Sequence, residues 1–370
     1  MIPMNKRNTY IIIFIILIIF ISILSTLFVI PVKTTETRSY MDTFVTISVE
    51  STLFNKKNAN RVINEAFSEI ERIEDVLSFY NKDSVIYALN TKGYLTEEEI
   101  TPELEYLIKK SIYYSKLSDG AFDVTIHPIL ELWKKGLWKE DLEMQNRIIK
   151  DELSQIGYEK ITIDKKMIFL DGVQIDLGGI AKGYAADRAL KIMRDGGFDR
   201  ALVNIGGDMA AGDGVWKVAL TDPDDSNNYL TSFNISNKAI ATSGNYERYF
   251  DPSKKVHHII DPRTGYPASE LISVTVIADE CIDADALATA VFVLGPEEGL
   301  NLVNSLNDVE TLIIDKNRNI YRSDNLSRFE DLQLYHSNNG YEPSSSWSSL
   351  PTNGGLNTHI NLKSSVVARR

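Results

Sequence analysis

The chain has 370 residues, with 39 Lys and Arg against 51 Asp and Glu, for a formal net charge of −12. That balance, with no basic run beyond short pairs, argues against nucleic acid as the natural partner, because neutralising phosphates needs clustered Lys and Arg. The single cysteine, Cys281, excludes an intrachain disulfide and any multi-cysteine metal or iron–sulfur site, while the length and apolar content suffice for one large domain or two ordinary ones.

In chain order, Lys6 and Arg7 precede an uncharged run from Tyr10 to Ile30, dominated by Ile, Leu and Phe and closed by Pro31 and Lys33. At helical rise this run is long enough to cross the hydrocarbon core. It carries neither an Ala-x-Ala cleavage pattern nor a lipobox cysteine, which predicts an uncleaved transmembrane anchor over residues 10–31 in contact with membrane lipid. The two cations ahead of it place residues 1–9 in the cytoplasm, making a single-pass protein with an extracytoplasmic body.

Alternation over Arg38 to Ser48 predicts the first strand. From Ala59 to Leu77 the apolar residues Val62, Ile63, Ala66, Phe67, Ile70, Ile73, Val76 and Leu77 form one helical stripe, which reads as core packing. Ser78 to Asp83 is a loop, with Asp83 or Ser84 capping a short helix that ends near Asn90. A second amphipathic helix spans Glu103 to Ser118, followed by an Asp119-Gly120 turn, a strand over Phe122 to Ile126 and a short helix opened by Pro128. Asp123, charged inside an apolar segment, is either paired with a backbone donor or facing a ligand. Asn146 to Ile156 reads as helix and Lys160 to Asp176 as short strands.

The stretch IDLGGIAKGYAADR at 175–188 then runs from a strand end (Ile175 to Leu177) through Gly178-Gly179 into a helix over Ile180 to Arg194. Free first-turn N–H groups, the positive end of the helix dipole and Lys182 make it a place for an anion, although a structural turn with a surface lysine is equally compatible. Beyond it come a buried strand in ALVNIGGD at 201–208, strands at Val215 to Thr221 and Thr231 to Ile235, a strand entering Ser243-Gly244, and a strand ending in the turn of VHHIIDPRTGYPA. Ser273 to Ala278 is a further strand. Asp283 caps a helix to Leu294, Pro296 to Leu306 forms another, and a hairpin closes around Lys316-Asn317. The Ser-, Asn- and Gly-rich residues 337–370 read as a disordered tail. With no linker inside residues 39–336, the expected class is α+β (mixed α/β), one body of mixed sheets flanked by helices after the anchor.

Asp285 and Thr289 lie four apart on one helical face, and two hard oxygens so placed suit Mg²⁺ if substrate phosphates, carbonyls or water complete the shell. The alternative is purely local, with Asp285 supporting the first turn and Thr289 bonding back to a carbonyl. Of the adjacent His257 and His258 one faces each side of an extended segment, and a lone inward histidine is more often a core residue than a catalyst.

The order of these segments resembles the ApbE family, the FAD:protein FMN transferases. The resemblance runs through MDTFVTI at 41–47, LSFYNKDSVIYALN at 77–90, GAFDVTIHPILELW at 120–133, IDLGGIAKGYAADRA at 175–189, ALVNIGGD at 201–208, ATSGNYERYF at 241–250, HHIIDPRTGYP at 257–267 and SVTVIADECIDADALATAVFVLG at 273–295. It implies Mg²⁺-dependent transfer of FMN from FAD, as substrate, to a Ser or Thr hydroxyl in a motif of an acceptor flavoprotein, with release of AMP. It further implies a metal held by Asp285, Thr289 and the backbone carbonyl of Ala181, and a flavin nucleotide against Met41, Ser78, Phe79, Tyr80, Asp123, Lys182, Tyr184, His258 and Ile259. His258 or an unligated Asp oxygen is the candidate base for the acceptor hydroxyl. Hydrolysis of FAD to FMN and AMP, or flavin binding without catalysis, are the alternatives. The family commonly has Met-Gly-Thr where this chain has Met41-Asp42-Thr43, an added carboxylate near the expected entry of an anionic dinucleotide.

Overall fold

A tight turn at Met41 and Asp42, both with positive φ (52° and 57°), folds the first two strands of the body onto each other. β1 (Pro31–Tyr40) and β2 (Thr43–Thr52) pair antiparallel along their whole length, from Pro31 opposite Thr52 to Tyr40 opposite Thr43. The single strand expected over Arg38 to Ser48 is therefore a hairpin, because two non-glycine residues adopt the left-handed conformation that a primed turn requires. The computed structural model describes residues 10, 12–20, 31–164, 166–225, 228–246, 248–253, 256–331 and 359–361.

The hairpin forms one edge of an eight-stranded sheet in the order β1-β2-β6-β7-β10-β11-β12-β13, where β6 is Ala201–Ile205, β7 Asp208–Ala211, β10 Ala239–Gly244, β11 Leu271–Ala278, β12 Glu310–Asp315 and β13 Ile320–Arg322. Every pairing in it is antiparallel. Period-two alternation sends residues to two different cores. Val203, Ile205, Val274 and Val276 face the helices α2 (Lys56–Leu77), α7 (Ala181–Asp195) and α8 (Cys281–Asn304). Leu202, Met209, Ile277 and Leu312 face Trp216, Val218, Phe233 and Ile235 of a second sheet built on β8 (Trp216–Thr221) and β9 (Tyr229–Ile235). Helices cover one face and a small sheet the other, in keeping with the mixed α+β class.

β3 (Tyr94–Thr96), β4 (Ile161–Ile163) and β5 (Met167–Leu170) form a third sheet, in which the strands expected between Lys160 and Asp176 find a partner in β3, too short to read from the sequence. α3 (Val85–Lys92) starts at Ser84, whose hydroxyl accepts from the Tyr87 amide, and ends at Gly93 with φ 77°. α4 (Pro102–Leu117), α5 (His127–Lys134) and α6 (Leu142–Leu153) occupy the segments expected to be helical.

Three expected strands are absent. Phe122 to Ile126 is a turn, Ile175 to Leu177 is extended without a ladder, and HHIIDPRTGYP makes only the isolated bridges Tyr249–His257 and Ile260–Pro267. In each, side chains take the hydrogen bonds a ladder would have used: the Asn90 amide, for example, both donates to the Ile175 carbonyl and accepts from its N–H, at 2.8 Å each. The two expected late helices are both present, labelled together as α8 and separated by a kink where Gly295 (φ 84°, ψ −177°) leaves the helical conformation just before Pro296.

Residues 12–20 form a helix, α1, whose large apolar side chains are all exposed. It is shorter than the ~20 residues a bilayer crossing needs, and residues 21–30 of the expected anchor lie outside the described residues. Among the described residues, the one helix long and apolar enough to cross a membrane is α8, which is packed inside the body. Of the expected tail, His359–Asn361 pairs parallel to β8 as β15, and the rest lies outside the described residues.

Candidate functional site

The glycine stretch and the late helix meet where α7 and α8 cross. Gly183 stands so close to the start of α8 that a Cβ there would lie 2.3 Å from the carbonyl oxygen of Cys281. Across this contact each helix caps the other. Asp285 Oδ2 accepts from the Gly183 amide at 2.9 Å, and the Asp187 carboxylate accepts from the amides of Cys281 and Ile282 at 2.8 and 2.9 Å. These amides lack partners within their own helices, and a carboxylate suits the positive end of a helix dipole. Asp187 thus holds the cap expected of Asp283, whose carboxylate pairs instead with Lys110 Nζ at 2.6 Å. Burial pushes the Asp187 carboxyl up to about 7.

Asp285 is buried, and its Oδ1 lies 3.9 Å from Lys182 Nζ. Lys182 also pairs with Asp208, a buried residue at the start of β7. One ammonium therefore stands between two carboxylates, in a region where an unpaired charge would be costly. One turn after Asp285, the hydroxyl of Thr289 lies 3.4 Å from that of Ser243 on β10. Gly179 fits between Thr289 Oγ1 and the ring of Phe122, 4.0 and 3.2 Å from its Cβ position. Asp285 and Thr289 of the expected metal set thus lie against the glycine turn and the first turn of α7, which Ala181 opens. The side-chain donors of that set are hard oxygens, and among the described residues no group of three or more His, Cys, Asp or Glu is placed to hold a metal ion, so the rest of a shell would have to come from carbonyls, water or substrate phosphates.

The flavin-side residues assemble beside α5. Phe79 stacks on His127 with ring centroids 3.7 Å apart, and Tyr80, 64% exposed, meets both rings edge-on. His127 Nδ1 is 2.8 Å from Asp176 Oδ2, and Asp176 Oδ1 accepts from Gly178 N, so the aromatic loop is braced against the glycine turn. Ser78 anchors the loop, its carbonyl accepting from Ser84 Oγ and its hydroxyl from Asn81 N. Asp123 proves to be paired with backbone: it accepts from Thr125 N, Thr125 Oγ1 and Tyr158 N at 2.7–2.9 Å, and burial raises its carboxyl above the ordinary range against these bonds.

Met41 sits at the turn of the β1–β2 hairpin. Its amide meets the Glu74 carboxylate near the end of α2, and the next residue but one, Thr43, packs on Gly206. Tyr184 turns toward α4, its ring centroid 6.0 Å from that of Tyr106, and burial first, then Glu103, raises its hydroxyl pKa.

The two histidines divide as their alternation suggests. His257 is held by the backbone, Nε2 2.7 Å from the Ala268 carbonyl and Nδ1 accepting from Ile259 N at 3.2 Å. His258 has a buried Nδ1 with no hydrogen-bond partner among the described residues. Burial, reinforced by His257, Arg248 and Lys182, pushes its pKa down to about 3. The ring is neutral at ordinary pH, with a buried nitrogen left to accept or donate a proton.

Asp187, Asp208, His127 and Asp176 are the residues sequence reasoning missed. Asp208 carried a legible signal, a carboxylate closing an apolar strand after two glycines. The other three act across distances that spacing does not encode.

The ApbE family model matches residues 41–313 of this chain. An FAD:protein FMN transferase of Klebsiella pneumoniae is 33% identical over 267 residues, 70% of this chain and 84% of that protein. One from Treponema pallidum is 30% identical over 290 residues, covering 71% and 80%. The crystal structure of the ApbE protein from Thermotoga maritima superposes with a TM-score of 0.72 at 32% identity, over 81% of this chain and 100% of that one.

Proposed function

Since the chain belongs to the ApbE family, we propose that it transfers the FMN moiety of FAD to a Ser or Thr hydroxyl of an acceptor flavoprotein and releases AMP. The observation that carries this reading is the locked crossing of α7 and α8. It sets the oxygens of Asp285 and Thr289 beside the first turn of α7, with Lys182 alongside.

The acceptor hydroxyl oxygen bonds to the flavin-side phosphorus, the phosphoanhydride P–O bond breaks, AMP leaves with the electron pair and the hydroxyl proton goes to a base. Such a transfer depends on positioning and charge neutralisation more than on covalent catalysis. Mg²⁺, which Asp285, Thr289 and the Ala181 carbonyl would hold, supplies charge neutralisation at the phosphates. Lys182, paired with Asp208, adds a cation on the same side. Phe79 and Tyr80, braced by His127, offer an aromatic surface to the isoalloxazine, with Met41 at the hairpin turn. Ser78, Asp123, Tyr184 and Ile259 shape the walls. The neutral His258 ring takes the proton at Nδ1.

The run over residues 10–31 anchors this body to a membrane, with the body on the outer side. This rests on the length and apolarity of the run and on the exposed apolar surface of α1.

Incubating the full chain in detergent with FAD, Mg²⁺ and a candidate acceptor tests the activity by mass spectrometry. An FMN adduct on the acceptor is expected. AMP and FMN without an adduct would identify a hydrolase, and bound flavin without either product a carrier.

A further inference from the structure

The apolar run ends at Pro31, and Pro31 is also the first residue of β1, so the run enters the body with no spacer between them. Opposite Pro31 in the ladder is Thr52, the last residue of β2. The next residues, Leu53 and Phe54, lie in a single 3-10 turn and are 51% and 53% exposed, followed by exposed Lys56 and Lys57 at the start of α2. Isolated exposed apolar residues need no explanation, but an adjacent Leu-Phe pair at the point of chain entry is differently placed.

The surroundings extend this patch. Arg200 Nε donates to Glu50 at 2.8 Å, and the Cβ position of Gly214 lies 3.0 Å from the Arg200 guanidinium carbon. Lys33 Nζ stands 5.6 Å from the centre of the Trp216 ring. Val215, between Gly214 and Trp216, therefore lies beside the same end of the hairpin, and it is 72% exposed. Leu53, Phe54 and Val215 share this end of the hairpin with Lys33, Lys56, Lys57 and Arg200, the last paired with Glu50, and such a mixture suits a bilayer interface, where apolar groups enter the acyl boundary and cations meet anionic headgroups.

We propose that the open end of the β1–β2 hairpin, with Leu53 and Phe54 at its centre, lies on the surface of a phospholipid bilayer, so that the body is docked on the membrane and not only tethered to it. The occupant is lipid because the run that precedes Pro31 delivers this end of the hairpin to the bilayer. The inference rests on the anchor reading given above.

The test uses the full chain in vesicles of phosphatidylcholine with about one third phosphatidylglycerol. The native thiol of Cys281 is buried and its pKa pushed up by that burial, so introduced cysteines are labelled selectively. Nitroxide labels at Leu53→Cys and Phe54→Cys are compared with Leu142→Cys, a position 67% exposed in another part of the body. Oxygen collides preferentially with lipid-embedded labels and a nickel chelate with aqueous ones. We expect an oxygen-to-nickel ratio at 53 and 54 several-fold above that at 142, and lowered ratios at Phe54→Cys when Leu53 is also changed to Asp. Flotation with the vesicles but equal, aqueous ratios at all three positions would overturn docking while leaving the anchor intact. Failure to float would remove both.

Discussion

The carboxylate of Asp285 accepts a hydrogen bond from the amide of Gly183, 102 residues earlier, and this one contact fixes where the first turn of α7 meets the donor face of α8. Its geometry depends on the absence of a side chain at 183, since any Cβ would press on backbone rather than on a movable side chain.

Gly183→Ala should therefore force the two helices apart. The expected cost is about 1–3 kcal/mol, as for overpacked cores, read as a lower midpoint in urea unfolding, together with loss of Mg²⁺-dependent turnover. Wild-type stability and turnover in this variant would show that the helices do not need to touch.

Asp285 itself can be dissected by charge and by geometry. Asp285→Ala removes both the cap and the metal oxygen, and turnover should become insensitive to Mg²⁺ and to chelators. Asp285→Asn keeps an acceptor for the Gly183 amide, so its fold should survive while Mg²⁺ binding, followed by calorimetry, weakens by at least tenfold, ~1.4 kcal/mol. Equal Mg²⁺ affinity in both variants and the parent would take the metal away from this helix.

Asp187 makes a prediction about pH. Its carboxyl, ordinarily 3.8, titrates at about 7 in the folded chain, so between these values the native state holds a proton the unfolded state has lost. Stability contributed here is fully present below about 4 and declines as pH rises toward 7. Asp187→Asn should flatten that decline in a series of denaturant unfolding curves, and an unchanged slope would place the titration elsewhere.

His258 has the opposite sign. With its pKa lowered from 6.5 to about 3, the unfolded chain takes up a proton that the native one refuses, so stability should fall as pH drops from about 6.5 toward 3. His258→Ala should remove this acid sensitivity and slow transfer by roughly 10²–10⁴, the usual contribution of a general base, while flavin fluorescence still reports FAD binding. A transfer rate within twofold of the parent would assign the proton to another group.

His127→Ala withdraws the ring on which Phe79 stacks. An aromatic pair contributes about 0.5–1.5 kcal/mol beyond its buried area, so the FAD dissociation constant should rise by roughly two- to tenfold at constant Mg²⁺ affinity. A parallel loss of Mg²⁺ binding would mean that His127 supports the whole crossing and not the flavin side alone.

Local signals were the ones the sequence carried well. The apolar stripe of α2, the cap expected at Asp83 or Ser84, which Ser84 makes, and the strands β6, β8 and β11 follow from periodicity and turn chemistry, and all are present. The pairing of the glycine stretch with the DADALAT helix was legible only through family resemblance, since nothing local links Gly183 to Asp285. Side chains that substitute for backbone partners were, apart from Asp123, invisible to patterning. Asn90 replaces a strand at Ile175, Asp123 turns a strand-like segment into a loop, and Asp187 caps α8 where Asp283, better placed in sequence, is drawn away by Lys110. The Met41-Asp42 turn was hidden because neither residue is a glycine.

The β1–β2 hairpin also sets a height. Its two ends differ in company, Pro31 and Leu53 at one and Met41 at the other, and ten residues at about 3.3 Å each separate them by roughly 30 Å. A hairpin standing upright on a bilayer would hold the flavin end about one small-domain diameter above the headgroups. An acceptor whose hydroxyl lay flush with the lipid would be out of reach. One raised on a folded domain, or on about nine residues of extended chain, would meet it, so in the docked arrangement proposed above this strand pair would select partners by elevation before any side chain is read.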